Sequence, residues 1–174
     1  MYYRICVQPT GRVANEAERQ GLVADARNLG LTTLNDVRSE TLYFVRGDLT
    51  GDQIRLLCTT LFADPVTETA TWELVPTDGA VPSGRARENG AWLVEVGLHP
   101  GVTDPVANQI MAMAMILGIR DVQAATGKRF RLHGDLDETT VHLIARRLLC
   151  NETIQHYCLG ALSPAFPQPT RSSH

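Results

Sequence analysis

Read for the spacing of its apolar positions, the chain carries one helical stripe twice. Ile54, Leu57, Cys58 and Leu61 fall at i, i+3, i+4 and i+7, and Val141, Ile144, Ala145 and Leu148 repeat that spacing. Each set is the core face of an amphipathic helix. Gly47-Asp48-Leu49 precedes the first stripe and Gly134-Asp135-Leu136 the second, an offset of 134 − 47 = 87. Both helices open on caps, Thr50 with Gln53 three residues on, and Asp137 before Glu138. Upstream, Leu22, Ala26, Leu29 and Gly30 match Ile110, Ala114, Leu117 and Gly118 at 110 − 22 = 88, so a one-residue length change lies between the two helices. Gly30 and Gly118 stand where a helix needs a left-handed stop. Asn15 with Glu18 caps the first of these helices, and Asp104 followed by Pro105 caps the second.

Strand signals flank the helices. Tyr3, Ile5 and Val7 alternate with polar neighbours, as do Val94, Val96 and Leu98, and Tyr43/Val45 correspond to Phe130/Leu132. A further strand is expected near Asp36-Val37 or Asp121-Val122, and closing strands at Val66 to Trp72 and Ile154 to Leu159. The predicted class is α+β: two tandem β-α-β-β-α-β units of the split βαβ, ferredoxin-like kind. The expected boundaries are residues 1–75 for the first unit, 76–90 for a linker rich in Pro, Gly, Ser, Asp and Arg, 91–160 for the second unit and 161–174 for an irregular tail. A unit of about 70 residues is marginal alone, and helices on one face of its sheet leave the other face open. The expectation is therefore an intramolecular pseudo-dimer, packed sheet against sheet or edge to edge, each copy supplying surface that the other lacks.

Composition narrows the function classes. Sixteen Lys+Arg against nineteen Asp+Glu leave a net charge of −3 with the signs interspersed, and aromatics are only 6% of the 174 residues. That argues against nucleic acid, even though sheets of this topology can bind RNA through exposed aromatics. No apolar run spans a bilayer and the N-terminus has no signal-type pattern, so the expected location is cytoplasmic, away from membranes. Cys6, Cys58, Cys150 and Cys158 have no CxxC spacing and read as reduced, mostly buried thiols.

The second copy carries Val96-Gly97-Leu98-His99-Pro100-Gly101-Val102-Thr103-Asp104-Pro105, then Leu117-Gly118, then Gly127-Lys128 entering a strand, then Leu148-Leu149-Cys150-Asn151-Glu152-Thr153-Ile154. Over Trp92 to Leu159 this resembles PurS, the small subunit of phosphoribosylformylglycinamidine (FGAM) synthase. Its most specific element is a strand, then Pro-Gly-Val-x-Asp-Pro, then a helix. The first copy looks like a diverged relative, keeping Leu29-Gly30, Asp36-Val37-Arg38 and Leu61-Phe62-Ala63-Asp64-Pro65-Val66. It shows Pro9-Thr10-Gly11-Arg12-Val13-Ala14 and Glu40-Thr41 where the motif loop and Gly-Lys are expected. The resemblance implies a module of purine biosynthesis without an active site, joining the synthetase to its glutaminase and helping to enclose the route of ammonia. It implies those two proteins as partners, with self-association possible, and Pro100, Gly101, Val102, Asp104, Pro105, Gly127 and Lys128 as the motif residues. A tandem pair also resembles the N-terminal region of single-chain forms of this synthase.

Beside that resemblance, the residues show no catalytic constellation. His99, His133, His142 and His156 have no metal spacing and neither Cys58 nor Cys150 has an activating motif, so no cofactor and no metal are expected. Gly101 and Gly127-Lys128 match no phosphate-loop pattern, and turn geometry explains the glycines. Arg129, Arg131 and His133 share one strand face, either to meet an acidic partner or as a solvated face. The two first helices differ: Ala17 to Leu29 carries Glu18, Arg19, Asp25 and Arg27, whereas Val106 to Leu117 carries no charge and adds Met111, Met115 and Ile116 to its core stripe. A helix apolar nearly all round is covered on more than one side, making those three residues interface candidates, against the chain's own first copy or against a partner. A second functional class stays open, a regulatory pair that senses a small molecule, since tandem modules of this topology can bind ligands between them.

Overall fold

A computed structural model describes residues 1–10, 16–76 and 86–166. β1 (Tyr2–Pro9) leads to α1 (Glu16–Asn28), β2 (Leu34–Arg46), α2 (Gly51–Leu57) with a π-helical continuation (Cys58–Phe62), and β3 (Glu68–Val75). The second unit runs β4 (Arg87–Glu88), β5 (Ala91–Leu98), α3 (Pro105–Ile116), β6 (Gln123–Gly134), α4 (Glu138–Ile144) with a π-helical continuation (Ala145–Leu149), and β7 (Gln155–Leu159).

The local signals act as their chemistry requires. Thr50 accepts from Gln53 N while the Gln53 side chain accepts from Thr50 N, a complete capping box. Asp137 accepts from Thr140 N at 2.7 Å, and Asp104 caps α3 with Pro105 in its first turn. Gly30 and Gly118, both at φ 81°, stop α1 and α3. Of the remaining first-helix features, the Asn15 cap lies outside the described residues.

The class is α+β with split βαβ-type units. In each unit, however, the two central strands expected in succession are one. Asp36 and Val37 belong to β2 together with Tyr43 and Val45, and Asp121, at φ 58°, stands ahead of β6. Between Val37 and Tyr43 the chain has no Gly, Pro, Asn or Asp, only Ser39, a weaker turn former. Of the expected linker, residues 77–85 lie outside the described residues. Arg87 and Glu88 form β4, returning into β5 through Asn89-Gly90 with φ of 50° and 81°. Two positive φ values in a two-residue loop make the hairpin turn whose twist suits the strands.

One sheet runs through both units in the order β3-β1-β2-β6-β5-β4, with β7 also paired to β5. The seam is β2 against β6, antiparallel from Leu34↔Gly134 to Arg46↔Gln123. Thr41 faces Lys128, and these residues are separated by the repeat offset itself (128 − 41 = 87). That pair therefore lies on an approximate two-fold axis. Edge-to-edge pairing satisfies backbone groups that two separate sheets would leave on open edges.

The helices lie on one face. Paired residues across antiparallel strands share a face, so Val37, Tyr43 and Val45 of β2 place both helix-side cores on the same side. Each core is built from both units. Ile54, Leu57, Cys58 and Phe62 of the first pack with Ala107, Ile110 and Ala114 of the second. Ala26 of α1 joins Val141, Ile144 and Ala145. Leu29, expected in the α1 stripe, is instead exposed beside the Gly30 stop. Of the two packings expected, sheet against sheet or edge to edge, the copies take the second, and they exchange helix packing on one side while the opposite face is closed otherwise.

That opposite face is closed by residues 160–166. Leu162 is buried with Tyr2, Cys6, Leu42, Phe44, Val75 and Ala125, and Phe166 packs against the same cluster. The tail was expected to be irregular, and residues 160–166 form no helix or strand, yet they are a structural strap. Residues 167–174 lie outside the described residues.

Candidate functional site

The motif loop is built from the end of β5 to the start of α3. Gly101 takes φ 84°, a left-handed conformation that glycine adopts without steric cost. Asp104 then does three things: one carboxylate oxygen accepts from Ala107 N at 2.9 Å, and the other from Thr126 N at 3.0 Å and Thr126 Oγ1 at 2.8 Å. The residue that caps α3 thus also fixes the helix start to β6, one residue before Gly127. Pro100, Gly101, Val102, Asp104 and Gly127 come together; Pro105 presets the first helical turn.

Gly127 and Lys128 point to opposite sides of the sheet. Gly127 pairs with Gly97 across β5 and β6. A Cβ at Gly97 would sit 2.5 Å from Leu162 Cδ2, and one at Gly127 would sit 2.9 Å from Val96 O. The glycine pair is the slot that receives the Leu162 side chain. Lys128, on the helix side, places Nζ 2.6 Å from Glu18 of α1 and 5.3 Å from the Phe130 ring centre. It ties the first unit's helix to the two-fold axis.

Arg129 and Arg131 meet acids, but these belong to the chain itself. Arg129 Nε lies 2.8 Å from Glu95 and Nη1 3.8 Å from Glu40. Arg131 Nε lies 2.6 Å from Glu40 and Nη1 3.3 Å from Glu88 of β4. Glu95 is 0% exposed and also pairs with Arg4 and accepts from Leu162 N at 2.8 Å. Burial opposes the charge on both arginines, and their carboxylate partners more than offset it, raising both pKa values. The sequence reading of a face awaiting an acidic partner, or simply solvated, is thereby corrected: β strands bring the acids alongside from β2, β4 and β5.

The cysteines are all free. Burial, followed by the Cys6 Sγ to Glu40 hydrogen bond, pushes the Cys6 thiol up to about 12, and burial pushes Cys58 to about 11. Thiols held so far from ionisation are poor nucleophiles. Among the described residues no three His, Cys, Asp or Glu side chains converge as a metal site. His99 and His156 do meet, stacked with ring centres 5.6 Å apart.

On α3 the three interface candidates separate. Met111 packs against the helix-side core that includes Ile54 and Leu57, while Met115 is 69% and Ile116 75% exposed, with Val106 and Met113 exposed too. Sequence reasoning missed Arg4, Glu40, Glu95 and Leu162. Leu162 sits in a segment with no periodicity, and the acids gain meaning only through cross-strand register. The Asn89-Gly90 turn, assigned to the linker from sequence, carries the Asn-Gly dipeptide that could have marked it as a hairpin.

No helix among the described residues is long and apolar enough to cross a membrane. No curated protein matches the chain. Residues 92–162 match the family model PurS, described as phosphoribosylformylglycinamidine (FGAM) synthase. The matched stretch begins in β5 and ends at Leu162, which fills the glycine slot, so the similarity to PurS covers the second unit, strap residue included.

Proposed function

We propose that the chain is a non-catalytic assembly module of FGAM synthase in de novo purine biosynthesis, working in the cytoplasm without a cofactor. In this role it joins the synthetase to the glutaminase and helps to enclose the path of ammonia between them. The observation that carries the reading is the PurS match over residues 92–162, lying in a unit that pairs edge to edge with a second of the same element order. A rigid sheet with its charges internally paired suits a spacer that must hold two catalytic bodies in fixed relation. Keeping a labile intermediate from solvent requires packing rather than chemistry. The exposed apolar side of α3, with Met115 and Ile116, is the surface proposed to meet a partner, because large apolar patches on a soluble chain mark interaction sites.

The test is reconstitution. With synthetase and glutaminase supplied, adding the chain should raise glutamine-dependent FGAM formation while ammonia-dependent formation changes little, and the three should co-purify. Equal glutamine-dependent rates with and without the chain, together with no co-purification, would refute the assembly role.

A further inference from the structure

Beside the motif loop lies a cavity of about 420 Å³, walled by the loop, the first turn of α3, the start of β6 and the strap. Small-molecule sites have this size and are apolar with a few placed polar groups. Here Leu98, Pro100, Val102, Leu162, Pro164 and Phe166 supply the apolar wall.

The polar groups select the ligand class by exclusion. Among the described residues no lysine or arginine lines the cavity, so a phosphate or carboxylate would find no counter-charge from them. The one lining carboxylate among the described residues, Asp104, is committed to Ala107 and Thr126, so a cation would find no free acceptor of opposite charge there. What remains is neutral. His99 Nε2 is 2.8 Å from Glu152 O; a carbonyl only accepts, so that nitrogen donates, and Nδ1 of the neutral ring keeps its lone pair. The Asn108 carboxamide, with a donor and an acceptor, has no partner among the described residues. His156, stacked on His99, has its pKa lowered by burial and by His99, which keeps the ring uncharged near neutrality. Its Nδ1 is the buried side-chain atom left without a hydrogen bond among the described residues, a shortfall that native structures rarely carry without a reason.

We propose that this cavity binds a neutral, planar heteroaromatic molecule of one or two rings, its hydrogen-bonding edge toward Asn108 and His99 and its faces against the apolar wall. The site is independent of the assembly role and is tested on the chain by itself.

The experiment is titration of the ¹⁵N-labelled chain with benzimidazole and with adenine, using benzoate and inorganic phosphate as charged controls. Saturable shifts are expected at Gly97, Gly101 and Asn108, with a Kd of about 0.1–1 mM for ligands of this size, and none from the controls. Asn108→Ala should raise the Kd about 3–10-fold, and Phe166→Ala about tenfold, each with a dispersed spectrum showing that the fold persists. Absence of saturable shifts from both neutral compounds would overturn the proposal. So would equal binding of the charged controls, or Kd values unchanged in both variants.

Discussion

Apart from the added β4, the two units share an element order, and they differ in how the helix-free face of the sheet is closed. Cys6 and Glu95 hold the same register place: Cys6 lies opposite Leu42 and Thr71, and Glu95 opposite Arg129 and Cys158. In the first unit the part of that face around Tyr2, Cys6, Leu42 and Phe44 is apolar, and it is covered by Leu162 and Phe166 arriving from the second. In the second it is charged, with Glu95, Arg129 and Arg131, and these pair with one another and with Arg4 and Glu40 of the first unit, largely out of solvent. One backbone thus tolerates an apolar closure capped by the other unit's strap and a polar closure completed by the other unit's Arg4 and Glu40. The helix side differs too, since α1 carries charge where α3 exposes Met115 and Ile116.

The largest effect that would sharpen this contrast is at Glu95. Removing it by Glu95→Ala strands Arg4 and Arg129 in a buried site and should cost about 3–5 kcal/mol in chemical denaturation. The matching change Cys6→Ala should cost about 1 kcal/mol, as expected for a small buried side chain. Similar losses at the two positions would mean that the charged closure is no more demanding than the apolar one.

Next comes the strap. Leu162→Ala empties the slot between Gly97 and Gly127 and should lower stability by about 2–4 kcal/mol. Because Leu162 covers residues of the first unit, hydrogen exchange should quicken in β1 and β2 as well as in β5. Acceleration confined to the second unit would break the idea that the strap serves both.

The double variant Met115→Glu/Ile116→Glu should leave stability within about 0.5 kcal/mol, as for exposed positions, while weakening association with itself or with the synthetase in sedimentation and pull-down. Unchanged association at micromolar concentration would show that the apolar difference between α3 and α1 is not an interface.

The smallest effect is on pH. The folded-state pKa of His156 is lowered by burial and by His99, so the unfolded chain binds more protons between that value and about 6.5. The contribution is complete above the unfolded pKa and is lost as pH falls through the folded one. His156→Phe should flatten this acid-side slope, and a slope identical to the parent's would show that His156 does not set it.

Much of the local structure was legible because its causes are local. The i, i+3, i+4, i+7 stripes, the capping box at Thr50 and Gln53, the Asp104-Pro105 start and the glycine stops each act within a few residues, and all four helices follow from them. The motif from Val96 to Pro105 and the Gly-Lys step after it marked the second unit for the same reason, and so did the uncharged face of α3. Tertiary structure alone decided the rest. Whether Val37 and Tyr43 belong to one strand depends on what lies beside them, and β6 pairs with the whole length of β2. The exchange of helix packing between units, the meeting of Arg131 with Glu40 across 91 positions, and the burial of Leu162 by a glycine pair all arise from long-range register. Hydrophobic period records which way a side chain turns within its own element; it carries no record of which distant residue will stand opposite.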